Sequence, residues 1–197
     1  MDHNPYATPE AAVASPENEV LDSAPFYIIS TRKVAILTVA TFNFYFVYWF
    51  YRNWRQYRAA TGEKVMPVAR AIFNIFFVHA LLRDVDTVIR EKGLVYSWNH
   101  ANLAGVYVIL AVGGNLASRY EPSGTAGMVI HLLILLTVPL LAWVAVAMQR
   151  PINLACGDVD GSSNASLTAA NWIWIILGGL FWFLSLAGYY TIWAGHY

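Results

Sequence analysis

The chain has 197 residues, 58% of them hydrophobic and 12% charged, with twelve basic and twelve acidic side chains and a formal net charge of zero. Soluble domains carry roughly 25% charged residues, so this composition excludes an ordinary water-soluble globule and points to a bilayer as solvent. Zero net charge offers no general attraction for nucleic acid, and a single cysteine, Cys156, excludes an intramolecular disulfide.

Residues 1–25 are rich in Pro, Ala, Ser and Glu and carry no Lys or Arg. They lack the basic and apolar regions of a signal peptide and read as a disordered acidic tail. From about residue 26 the rest is expected to form one helical membrane domain. A spanning helix needs roughly 20 apolar residues, and the first candidate is about 34–51. It ends in FNFYFVYWFYRNW, nine aromatic residues in thirteen. Tyr48, Trp49, Tyr51 and Trp54 lie where apolar residues give way to Arg52, Arg55 and Arg58, the pattern of rings and cations in a headgroup layer. Asn43 is the lone polar side chain inside that stretch and calls for a partner on another helix.

Residues 67–91 are too polar for an easy crossing, with Arg70, Asn74 and His79 interrupting a short apolar run. His79, Arg83, Asp86 and Arg90 share one helical face and Leu81, Leu82, Val85, Val88 and Ile89 lie largely on the other, which predicts an amphipathic interfacial or re-entrant helix. The remaining spans are expected at about 99–117, 125–148 and 171–193. Ala101 with Gly105, Gly113 with Ala117 and Gly114 with Ser118 are small-residue pairs suited to close helix contact. Pro139 predicts a kink. The stretch from Gln149 to Asn171 reads as a polar connector. Its DVDGSSN has Gly at the fourth position of a calcium-type loop instead of the sixth, so that motif fails.

Four spans would place nine basic residues on one side and Arg32, Lys33 and Arg119 on the other, with both termini outside. His79 and His100 are the only pair positioned to share a metal or haem, without ligand spacing to support it; no cofactor is called for. No Asp or Glu lies inside the four spans, which argues against an ion-coupled pump. The intramembrane polar groups are Asn43, Asn102, Asn115 and His131, candidates for a pore wall.

YWFYRNW, ARAIFNIFFVHALL and ANWIWIILGG together resemble a family of uncharacterised bacterial inner-membrane proteins. The resemblance implies a multi-pass protein of the bacterial inner membrane and brings no catalytic residues. The function expected is a non-enzymatic subunit or scaffold whose partners are lipids, a second copy or another membrane protein. The alternatives are an oligomeric pore or transporter, and a metal or haem redox subunit.

Overall fold

The computed structural model describes residues 24–120 and 124–194. The expected tail lies almost wholly outside them; Ala24 is already buried. Seven α-helices occur among the described residues, with no strand: α1 (Thr31–Ala40), α2 (Tyr45–Thr61), α3 (Pro67–Ile72), α4 (Asn74–Glu91), α5 (His100–Ala117), α6 (Gly124–Cys156) and α7 (Ala169–Ala194).

Among the described residues three helices, rather than four, are long and apolar enough to cross a membrane: His100–Ala117, Val129–Cys156 and Ala169–Thr191. The stretch expected to be the first span is broken at 41–44. Asn43 N–H donates to Thr38 O at 2.9 Å and Phe42 N–H to Val39 O at 3.3 Å, the paired bonds that close a helix in a left-handed cap. Phe42 (φ 50°) and Asn43 (φ 68°) both adopt left-handed backbone. Asn tolerates this region, whereas a Phe there costs roughly 1–2 kcal/mol. The Phe42 ring offsets that cost by stacking on Trp182 at 4.2 Å and meeting Phe181 edge-on at 4.6 Å. Thr41 Oγ1 accepts from Tyr45 N–H and starts α2.

Beyond the break the chain doubles back. A straight helix would hold Phe26 and Tyr57 roughly 45 Å apart, yet their rings stack at 5.7 Å. Tyr27 meets Tyr48 edge-on at 6.1 Å. Helices α1 and α2 therefore form a hairpin with its tip at 41–44, and α1 lies against α6 and α7. The aromatic block packs outward from this hairpin, with Phe46 and Phe50 against Tyr107 of α5 at 5.0 and 5.6 Å. Trp49, Phe50 and Trp54 are fully buried, so the two tryptophans expected at a headgroup layer are core residues. The sequence shows an aromatic-to-basic gradient but not which rings face inward.

The α3–α4 segment kinks at Phe73, where Asn74 Nδ2 caps Ala71 O at 2.9 Å. α4 buries Val78, Leu81, Leu82, Val85 and Ile89 and exposes His79, Arg83 and Arg90. It begins beside α5, where Tyr107 O–H donates to Asn74 Oδ1 at 2.5 Å. It ends beside the last turn of α6, where Lys92 Nζ donates to Ala155 O at 2.7 Å.

Helix α6 continues through Pro139 and Pro151 to Cys156. The connector expected to begin at Gln149 thus starts a full two turns later. Gln149 and Asn153, read as loop residues, are buried on the inner face of α6 beside Met148 and Ile152. In the true connector Asp158 accepts four hydrogen bonds, from the N–H and O–H of Ser162 and of Ser163, at 2.7–3.1 Å. Partial burial works against its charge, but these donors outweigh it and hold the carboxyl below the usual range. A depressed carboxyl stabilises the fold above its ordinary pKa and ceases to do so as pH falls through the folded value. The 157–168 connector is therefore expected to open below about pH 4, read as hydrogen exchange. Asp158→Asn should remove that pH dependence.

Candidate functional site

The hairpin tip faces a cavity of about 280 Å³ between the 41–44 turn, the start of α4, α5 and α6. Its polar lining comes from Asn43, Asn74, Tyr107, Asn115 and Thr137. Apolar helices surround it, and polar side chains gathered in such a setting are costly unless used. Asn74 bridges Tyr107 and Ala71, so both ends of its amide are engaged. Thr137 O–H donates to Ile134 O at 2.6 Å, and its side chain lies 3.4 Å from where a Gly114 Cβ would stand. Asn43 Oδ1 is different: it is buried and accepts no hydrogen bond from the protein. A buried acceptor left alone costs about 1–3 kcal/mol, so the geometry calls for a donor from water or a bound molecule.

This arrangement can hydrogen-bond a small neutral polar molecule. Three amides, a phenol and a hydroxyl make it a recognition surface without a nucleophile or a strong general base. Asn43→Gly keeps the left-handed backbone, since glycine adopts it freely, and deletes the orphan acceptor. The thermal midpoint of that variant in detergent is expected to stay within about 2 °C of the parent, because the change lies within about 0.5 kcal/mol. Asn43→Val should lower it clearly, because a β-branched residue resists positive φ.

A second polar cluster lies at the open end of the hairpin and is structural. Residues Phe26–Ile29 are buried, and among the described residues no strand lies beside them. Side chains satisfy their backbone instead. Asn53 Oδ1 accepts from Tyr27 N–H at 3.1 Å, and Gln149 Nε2 donates to Tyr27 O at 2.9 Å. Asn164 Nδ2 donates to Ile28 O at 2.9 Å. Asn153 Nδ2 donates to Ile29 O at 3.0 Å and its Oδ1 accepts from Ile29 N–H at 3.4 Å. Trp49 Nε1–H closes the network on Gln149 Oε1 at 2.6 Å. The signal available in the sequence was Gln149 and Asn153 four residues apart on the face that carries Ala145 and Met148.

The other expected site residues separate. Asn43 and Asn115 meet at the tip cavity; Asn102 is exposed in the first turn of α5, and His131 is exposed with Nδ1 2.7 Å from Gly127 O. They do not line one path. His100 Nδ1 lies 3.9 Å from Asp86 Oδ2, which pairs with Arg90 at 2.6 Å, while Asp86 Oδ1 accepts from Trp98 Nε1 at 2.9 Å. His79 is on an exposed face two turns before Asp86, roughly 10 Å along the axis, which separates it from His100. No group of three metal-ligating side chains occurs among the described residues. Of the small residues expected at helix contacts, Gly114 meets Thr137, while a Cβ on Gly105 or Gly113 would touch nothing. Ala117 is half-buried, and Ala104, not singled out, is fully buried. Arg55 and Arg58 are exposed, Tyr48 is partly so, and Tyr51 and Arg52 are half-buried.

No protein family, curated sequence or solved structure matches this chain.

Proposed function

We propose that the chain is a non-enzymatic component of the bacterial inner membrane, a subunit or scaffold that binds lipids or other membrane proteins. The observation that carries this reading is α7. It rests on α1 and the 41–44 turn, and exposes Ile173, Ile176, Leu180, Phe183, Leu184 and Leu186 by half or more of their surface. Such a helix requires an apolar surrounding, either acyl chains or a neighbouring helix. Neutral hydrogen-bonding groups at the tip cavity support recognition over chemistry.

In the membrane arrangement we favour, α5, α6 and α7 cross, and the α1–α2 hairpin enters and leaves from one face together with α3 and α4. Of the twelve Lys and Arg, all except Arg119 then fall on one side. This eleven-to-one split is a stronger inside signal than nine to three and puts the N-terminus inside and the C-terminus outside. Reporter fusions at the two ends should report opposite sides; equal sidedness would restore four spans. Native extraction in mild detergent tests the function. A second protein or a tightly held lipid retained in constant ratio is expected. A chain that elutes alone and lipid-free, and passes solutes when reconstituted in liposomes, overturns the reading in favour of a pore, the alternative supported by the orphan Asn43 at the tip cavity.

A further inference from the structure

We propose that the chain holds one anionic phospholipid, its phosphate on Arg52 and Tyr48 and one acyl chain in the groove between the hairpin and α7. The proposal rests on the lipid-binding reading above and names the lipid and its seat. The groove begins as a 320 Å³ crevice lined by Leu37, Thr41, Phe44, Tyr48, Asn171 and Trp174. Through the shared Thr41, Phe44 and Trp174 it runs on into a 230 Å³ crevice that reaches Phe181. From Thr168 to Phe181 is about 20 Å of helix, enough for the hydrocarbon of one leaflet at about 15 Å. Phe44 is 78% and Trp174 59% exposed, so the groove is open sideways to the bilayer.

Charge at the mouth selects the occupant. Arg52 Nη1 donates to the Tyr48 hydroxyl at 3.4 Å, and its guanidinium lies 4.8 Å from the Tyr27 ring centre. Its Nε is buried with no hydrogen-bond partner, and among the described residues Arg52 forms no ion pair. A guanidinium steadied by aromatic rings and lacking a counter-charge suits a phosphate, which takes it through two parallel hydrogen bonds. A ligand that places an anion above some 20 Å of apolar slot is an amphiphile with a single charged head. Arg55 and Arg58, exposed one and two turns further along α2, add long-range attraction for the same charge.

The test titrates the full chain in detergent with phosphatidylglycerol and with phosphatidylcholine of identical acyl chains, counting bound lipids by native mass spectrometry. One phosphatidylglycerol should be retained with about tenfold preference over phosphatidylcholine. Arg52→Gln should abolish that preference and Arg52→Lys keep part of it. Ala170→Trp, which narrows the crevice that Ala170 lines without touching the charge of Arg52, should weaken both lipids, with monodisperse elution confirming that each variant folds. Equal retention of the two lipids overturns the proposal, as does an undiminished preference in Arg52→Gln or unchanged binding in Ala170→Trp. Displacement by soluble glycerol phosphate would also overturn it, showing a free-anion site. A chain that keeps a partner protein while treating both headgroups alike loses this site but not the reading beneath it.

Discussion

Asn153→Leu is expected to release the buried segment Phe26–Ile29 and to cost about 3–5 kcal/mol, because each buried backbone group left unpaired costs about 1–3 kcal/mol. Leucine fits the volume but supplies neither the donor to Ile29 O nor the acceptor for Ile29 N–H. Gln149 Nε2 loses its 2.7 Å contact to Asn153 Oδ1 as well. The consequence is legible at Cys156, the only cysteine, whose Sγ lies 3.5 Å from Phe26 O. Once the segment lifts, maleimide labelling of Cys156 should accelerate at least tenfold, since local opening governs access to a covered group. The midpoint of unfolding in SDS should fall with it. A variant that labels and unfolds like the parent would show that the segment is held by burial of Phe26, Ile28 and Ile29 alone.

This clamp explains both what the sequence reveals and what it hides. Long apolar runs announce α5, α6 and α7, because a bilayer demands some 20 residues of one character and composition alone meets that demand. The α4 helix is legible for a related reason: its apolar and charged residues alternate at helical spacing. The hairpin is not legible. Residues 34–51 are apolar enough for a span, and the break depends on two left-handed residues, one of them Phe42, which no turn preference suggests. Its hydrogen bonds come from Thr41, Val39 and Trp182, the last 143 positions beyond Val39 in the chain. Asn43, a polar side chain inside an apolar run, is the clue that the sequence offers there. The amides Asn53, Gln149 and Asn153 look like surface residues flanking a basic cluster until the segment they hold is known. Gly178 stands beside Gly179 in an unbroken apolar run, and nothing in the sequence marks it as the one whose Cβ would overlap Ala40 O.

Gly178→Ala is accordingly the substitution expected to undock α7. A Cβ there would overlap the backbone carbonyl of Ala40, and no rotamer change relieves a clash between two backbone-fixed atoms. The helix must move outward, which stretches the 2.9 Å bond from Trp182 Nε1 to Val39 O and separates Trp182 from Phe42. Overpacking of this kind costs about 1–3 kcal/mol. The loss falls on docking, not on insertion, because α7 remains apolar enough to stay in the bilayer by itself. Ile36 and Ile175 both border the crevice on the back of the α1–α7 contact. With both changed to cysteine and Cys156 to serine, oxidation should link α1 to α7 readily in the parent and severalfold less in Gly178→Ala. Gly179→Ala provides the contrast, since a Cβ at that position meets nothing within 4 Å. Equal cross-linking in the two alanine variants would mean that α7 is held by its aromatic contacts with the 41–44 turn, and that the close approach of Gly178 to Ala40 is incidental to docking.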